Sequence, residues 1–345
     1  MSSIPSIAEP MLSLEGARLE DSEGIPLTFA PAVPELGSSS DAVIRWFHAQ
    51  AHTIKSLLSA HGALLFRGFA VADTTTFNDI STIFPTHRGG YLGGATPRSA
   101  IKGNVFEATR VPAPYKIQLH QEMSYLPHQP ARLMFFCHVP PGEAGETILG
   151  DMRTISARIP SELRDAVRAR KVRYVRNLAS PTASAARGQW LADFHRSWKD
   201  CFGTGDRDAV DQACRHLDMS SAWCPDGSLE LVYVSDGFRR HGPTGTDLWF
   251  NHIAVLHDNP RSLGPAHALH GLYRKMGHAL PHVVTYGDGE PIPTAVVYEL
   301  LDMLDKETIA FPWRQGDVMM LDNMLVAHGR NRFSGARDIQ VTLHD

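Results

Sequence analysis

The chain has 345 residues, 43% of them hydrophobic and 20% charged, with a formal net charge of −4. This is the composition of a soluble globular protein, long enough for one large domain or two small ones and for a core that needs no staples. The weak acidic balance gives no reason to expect nucleic acid or an anionic membrane as a partner, and no apolar window reaches the roughly 18 residues of a membrane span. Met1-Ser2-Ser3-Ile4-Pro5 lacks the basic-then-apolar pattern of a signal peptide, so a cytoplasmic protein is expected. Cys137, Cys201, Cys214 and Cys224 form no CxxC pair, which predicts reduced thiols rather than a zinc site or a disulfide framework.

Residues 1–38, rich in Pro, Ser and Gly, read as an N-terminal arm, extended along the domain or partly disordered, before a single domain over 39–345. From Ser40 to His61 the apolar residues Val43, Ile44, Phe47, Ile54, Leu57 and Leu58 recur at helical spacing, with Ser40 or Asp41 as cap and Gly62 as stop. Ala63 to Phe69 reads as a buried strand and Thr75 to Phe84 as a helix. Residues 88–118 look loop-like around Gly89-Gly90-Tyr91-Leu92-Gly93-Gly94, a length and composition that often border a site. Leu133–Val139 and Glu146–Leu149 read as strands, and Thr154–Arg170 as one amphipathic helix. Residues 179–229 read as an insertion or lid with one helix near Asp206–Leu217. Strands are expected at Leu229–Val234, Leu248–Phe250, Val318–Leu321 and Ile339–Leu343, and a helix at 294–306. Short strands with Gly/Pro turns, and no regular strand–helix alternation, favour a mainly β fold with α decoration. The expected core is a double-stranded β-helix, or jelly roll, with peripheral helices and a helical insertion.

His120 and Glu122 lie two residues apart, so on an extended segment both side chains point one way. With His328, which follows the turn Asp322-Asn323-Met324, they form a set of two histidines and one carboxylate that leaves one face of a metal open, as in non-haem Fe(II) oxygenases. A His-x-Glu spacing alone is weak among 18 histidines. His138, His195, His216, His241 and His282 are expected to be hydrogen-bonded structural residues; His252 is read both ways. The second signature is His328-Gly329-Arg330-Asn331-Arg332-Phe333-Ser334-Gly335-Ala336-Arg337. It places an arginine fork, suited to a carboxylate, on the strand after the distal histidine. A zinc hydrolase on a jelly roll could use the same three ligands but would have no need of Arg337. A non-catalytic metal-binding jelly-roll protein is the alternative from another class.

The chain resembles the TauD/TfdA-like family of Fe(II)/2-oxoglutarate-dependent oxygenases, and within it the clavaminate-synthase-like members that modify amino acids in natural-product pathways. The matching segments are Tyr91–Arg98, Leu119–Tyr125, Pro141–Thr147, Trp249–His252 and Gly316–Asn323 running into the His328 motif. The resemblance implies a double-stranded β-helix with His120, Glu122 and His328 as iron ligands. It implies that Arg337 and Thr147 hold the far carboxylate of 2-oxoglutarate, and that O2 is the second cosubstrate. Taurine dioxygenase carries a further arginine four residues past the clamp, where this chain has Val341, so a sulfonate substrate is not expected. The intact Glu122 argues against halogenation. The implied reaction oxidises, most simply hydroxylates, an unactivated C–H bond of an amino-acid-like small molecule, releasing succinate and CO2. Desaturation, epoxidation, cyclisation and action on an aminoacyl group tethered to a peptidyl carrier protein stay open, as does a role in antibiotic biosynthesis. Candidate substrate contacts are Asn104, Gln118, Ser124, Tyr125, Asn251 and His252, with Arg98 and Arg332 as candidates for a substrate carboxylate.

Overall fold

Three neighbouring strands set the layers of the molecule by alternation. In β3 (Ala63–Phe66), β7 (Arg132–Val139) and β17 (Val318–Asp322), successive side chains leave opposite faces. Ala63, Leu65, Leu133, Phe135, Cys137, Met319 and Leu321 enter one core cluster; Leu64, Phe66, Met134, Phe136, Val318 and Met320 enter another. Both faces are buried, so these segments read as continuous apolar runs. The structure is a computed structural model of this chain and describes residues 13–88, 98–185 and 194–345.

These strands lie in an eight-stranded sheet ordered β1 (Ala17–Asp21), β2 (Leu27–Pro31), β3, β17, β7, β20 (Asp338–His344), β5 (Val105–Glu107), β4 (Ala100–Lys102). Its pairs are antiparallel except β2 with β3. A second sheet runs β16 (Ile309–Phe311), β9 (Thr147–Asp151), β18 (Val326–Arg330), β6 (Ile117–His120). Its Leu119, Ile148, Leu149, Val326 and Ala327 share a core cluster with the inner face of the large sheet. This is the expected jelly-roll pairing of two sheets. The outer face of the large sheet is covered by α1 (Ser40–Ala49), α2 (Ala51–His61) and α3 (Thr74–Ser81). Phe47 on α1 meets Phe66 with ring centroids 4.8 Å apart, and each such buried ring contributes roughly 1.5–3 kcal/mol. A third sheet, β11 (Ser220–Trp223), β12 (Leu229–Ser235), β10 (Val172–Leu178), β15 (His282–Tyr286), adds Val172, Tyr174, Leu229, Leu231 and Val284 to the inner cluster. Two short ribbons, β8 (Glu143–Ala144) with β19 (Phe333–Ser334) and β13 (Phe238–Arg240) with β14 (Asp247–Trp249), complete the strands.

Several expectations are corrected. The described part of the segment read as an arm, residues 13–38, carries a paired hairpin: β1 and β2 extend the large sheet, and Leu27 and Phe29 are buried. The Pro and Ser around them hid a short alternating strand. The helix expected over 40–61 breaks at Gln50 (φ −88°, ψ 2°); the apolar period continues because both halves pack on the same sheet face. Thr154–Arg170 also divides, into Met152–Arg158 and Ser161–Arg170, because Pro160 cannot donate within a continuous helix. The 179–229 segment carries the expected helix at Arg207–His216 and also the strand β11, paired to β12. Its described part is therefore sewn into the third sheet. The glycine run 89–94 and its neighbours through Pro97 lie outside the described residues. All four cysteines are free thiols, three of them buried. No helix among the described residues is long and apolar enough to cross a membrane.

Candidate metal and cosubstrate site

His120 and His328 face each other across β6 and β18 as direct register partners. Opposed side chains on adjacent antiparallel strands are close neighbours, and the two rings lie with centroids 4.5 Å apart. The approach of the strands depends on Gly329: a Cβ there would fall 2.4 Å from the Ile117 carbonyl oxygen. Phe135 of the opposite sheet packs on His328 at 5.4 Å between centroids, so the pair sits between the layers. The His120 Nδ1–H donates to the Gln118 carbonyl at 2.8 Å. That bond fixes the tautomer and leaves Nε2 with its lone pair.

Glu122 reaches the same place by a route the spacing did not foresee. β6 ends at His120, and residues 122–125 form a turn with Met123 at φ 58°. The two-residue alternation therefore does not aim the carboxylate. Asn323 does, in the loop between β17 and β18: its Oδ1 accepts the Glu122 N–H at 2.7 Å, and its Nδ2 donates to the carbonyls of Glu122 at 3.0 Å and Pro130 at 2.9 Å. Asn323 is fully buried and was not singled out from the sequence, although the Asp-Asn turn before an apolar strand is the kind of signal that marks such a clamp. Asn323→Ala strips three backbone groups of their partners. Its expected effect is a metal dissociation constant raised by about 10- to 100-fold, read by titrating Mn(II), with the secondary structure retained by circular dichroism.

Donor atoms of His120, Glu122 and His328 all lie within 4.8 Å of one another. Glu122 Oε2 and His328 Nε2 are 3.5 Å apart, and His328 Nδ1 is buried without a hydrogen-bond partner among the described residues. Burial, with His328 alongside, pushes the His120 ring down to about 4, so at neutral pH it has no proton to give up before binding a cation. Burial opposes the charge of Glu122, but Arg98 and the two histidines outweigh it and hold its carboxyl below the usual range. A dry, anionic, two-histidine donor set suits one divalent ion. The Arg98 guanidinium donates to both Glu122 oxygens, at 3.1 and 3.3 Å, and to the Ala108 carbonyl. It was expected at a substrate carboxylate; the carboxylate it meets in this structure is that of Glu122.

The residues expected at 2-oxoglutarate lie on β9, which pairs with the His328 strand β18, and just ahead of β20. Thr147 on β9 is buried, and its Oγ1 accepts from Trp313 Nε1 at 3.1 Å, which leaves the hydroxyl proton to donate elsewhere. Arg337 precedes β20; its Nε donates to the Gly145 carbonyl at 3.2 Å and its guanidinium lies 5.6 Å from the Phe333 ring centroid. Burial, with Arg330 nearby, lowers its pKa to about 10, still charged at neutral pH. Arg330 is committed otherwise, donating to the carbonyls of Val111, Pro112 and Tyr115 at 2.8, 2.9 and 2.7 Å.

Among the candidate substrate contacts, His252, Ser124 and Tyr125 gather at the three candidate donors. The His252 ring lies 5.2 Å from that of His120 and 4.8 Å from that of Tyr125, and its Nδ1 shares a 2.7 Å hydrogen bond with Ser124 Oγ. Burial, then His120, holds His252 neutral, well below its usual range. The others do not gather there. Asn104 donates to the Leu343 carbonyl at 3.0 Å, Gln118 to that of Arg261 at 3.1 Å and Asn251 to that of Gly237 at 3.0 Å. Their amides are spent on the fold. Arg332 is exposed on the turn after β18.

A jelly roll holding two histidines and a carboxylate between its sheets, with an arginine just ahead of β20, fits the class of Fe(II)- and 2-oxoglutarate-dependent oxygenases. The comparisons agree: the chain belongs to the family described as taurine catabolism dioxygenase TauD, TfdA family, whose model matches residues 25–343. It is 31% identical over 309 residues to the dapdiamide synthesis protein DdaC of Enterobacter agglomerans, covering 89% of each chain. It is 28% identical over 333 residues to the clavaminate synthase-like protein At3g21360 of Arabidopsis thaliana, covering 94% of each. Among solved structures it resembles PvcB of Pseudomonas aeruginosa (TM-score 0.51, 18% identity, 96% of this chain and 92% of that one). It also resembles AAD-2 in complex with Mn(II) and N-oxalylglycine (TM-score 0.51, 10% identity, 95% and 96%). These two likenesses show the fold. The protein is an Fe(II)/2-oxoglutarate-dependent dioxygenase that uses O2 as cosubstrate.

Proposed function

We propose that this dioxygenase hydroxylates an unactivated C–H bond of an amino acid or amino-acid-derived small molecule in natural-product biosynthesis. His120, Glu122 and His328 would hold Fe(II), and Arg337 with Thr147 would hold the far carboxylate of 2-oxoglutarate. The bound iron, with 2-oxoglutarate and O2, supplies the C–H oxidation and releases succinate and CO2. The chain's own residues orient the reactants and keep water out. The observation that carries the reading is the convergence of the three donors with a buried wall of Ser124, Tyr125 and His252. That wall offers hydroxyl and imidazole groups suited to a polar head group. DdaC, named for dapdiamide synthesis, and PvcB, described as an oxygenase from an isonitrile synthetic pathway, lend the biosynthetic setting.

The test loads the protein with Fe(II) anaerobically, adds 2-oxoglutarate, O2 and a panel of amino acids, and follows succinate and the oxidised product. Stimulation of succinate by one amino acid, with a product 16 mass units heavier as one inserted oxygen requires, supports the proposal. A panel that stimulates nothing, or turnover undiminished by His120→Ala, defeats it.

A further inference from the structure

A cavity of about 500 Å³ lies on the segment that follows Glu122, lined there by Met123 and by Leu126 through Gln129, and has no part in the site described above. Met123, the residue after Glu122, and Leu126 form part of its apolar wall, and Leu217, the C-cap of the helix Arg207–His216, also lines it. Arg88, His128, His216 and Arg239 bring cationic or protonatable groups to it. Asp345 is the carboxylate among its lining residues and is engaged, with its Oδ1 2.5 Å from His87 Nδ1 and its Oδ2 accepting the Arg88 N–H at 3.3 Å.

Arg239 gives the cavity its direction. It sits half-buried on β13 with its guanidinium 4.7 Å from the Phe250 ring centroid, and it donates to the Gln129 side-chain carbonyl. No carboxylate among the described residues forms an ion pair with it. Aromatic stacking and a neutral amide hold the fork in place without neutralising it, which is the arrangement of an arginine prepared for an incoming anion. Two chain segments tie this place to the metal ligands. Gln129 and Met123 belong to the run that begins at Glu122, and Phe250 lies two residues before His252, whose ring rests on that of His120.

We propose that this cavity is the distal recognition site for an anionic group of the substrate, a carboxylate or a phosphate, with Arg239 as the residue that selects it. The inference rests on the proposed oxygenase site and specifies what the substrate must carry at the end remote from the oxidised carbon. Neutral amino-acid derivatives would lack the group that Arg239 pairs with, and the apolar wall of Met123 and Leu126 would line the stem between the two ends.

The test uses the full chain saturated with Mn(II) and 2-oxoglutarate, so that Arg337 is already engaged, and titrates acetate and inorganic phosphate by calorimetry. Wild type is expected to bind at least one of them saturably. Arg239→Gln should weaken that binding by at least about tenfold, as loss of a charge-assisted pair does, with 2-oxoglutarate affinity and thermal midpoint unchanged. Arg239→Lys should fall between, since it keeps the charge and loses the fork. Preference for acetate points to a free acid and preference for phosphate to a phosphorylated group; either supports the proposal. Absence of saturable binding in wild type, or equal binding by Arg239→Gln, overturns it. Failure of Mn(II)-loaded protein to bind 2-oxoglutarate would instead strike at the metal and cosubstrate site, so the two failures are distinguishable.

Discussion

Glu122→Gln is expected to abolish succinate formation and to weaken Fe(II) or Mn(II) binding by more than about 100-fold, beyond the usual cost of losing an outer-shell partner. The substitution keeps the shape of the side chain and the Asn323 clamp on its backbone, so the loss isolates the charge. It should also do something that a simple ligand deletion does not. Glu122 and Arg98 form a buried pair, each side chain only 8% exposed. Neutralising one partner leaves the other charge in a dry site, at a cost of about 3–5 kcal/mol. The metal-free Glu122→Gln protein should therefore unfold at lower denaturant than wild type. His328→Ala also removes a ligand but leaves the ion pair intact, so its metal-free form should lose less stability while its metal affinity falls as far. Metal titration and urea unfolding of the two variants separate the roles. Equal metal affinity in Glu122→Gln and wild type would remove the carboxylate from the ligand set.

The same pair shows where sequence reasoning reaches and where it stops. The candidate triad was legible because its chemistry is rare: two histidines and a carboxylate, followed at nine residues by an arginine. The inner strands were legible because burial on both faces writes continuous apolar runs such as Leu133–Val139. What spacing cannot supply is the three-dimensional reason. Glu122 joins His120 through a turn held by Asn323, 201 residues away, and not through strand alternation. Arg98 carries no mark that distinguishes a partner for substrate from a partner for Glu122. Arg239 sits in a short ribbon whose sequence, Phe238-Arg239-Arg240, has no motif. Its meaning comes from Phe250 and Gln129, which only the fold brings to it. The hairpin of β1 and β2 was hidden for the opposite reason: Pro and Ser outvoted a five-residue strand whose parallel partner, β3, lies more than thirty residues on.

Arg337→Gln is the second large effect expected. The guanidinium should make two parallel charge-assisted hydrogen bonds to the far carboxylate of 2-oxoglutarate, and bonds to charged groups contribute about 1.5–3 kcal/mol. Their loss raises the 2-oxoglutarate dissociation constant by about 10- to 100-fold, read as weaker binding to the Mn(II)-loaded protein, while Mn(II) affinity itself stays near wild type. That split separates Arg337 from the ligands, whose loss lowers both. Arg330 cannot take over, because its guanidinium is already held by three backbone carbonyls. Nor can the position four residues on, where Val341 is fully buried on β20 and paired in register with Phe135. Arg337→Lys keeps a charge at the site but not the fork, so it should recover part of the affinity and not all of it. Unchanged 2-oxoglutarate binding in Arg337→Gln would mean that the cosubstrate carboxylate lies elsewhere, and Thr147→Val, which removes the neighbouring hydroxyl, would then be equally silent.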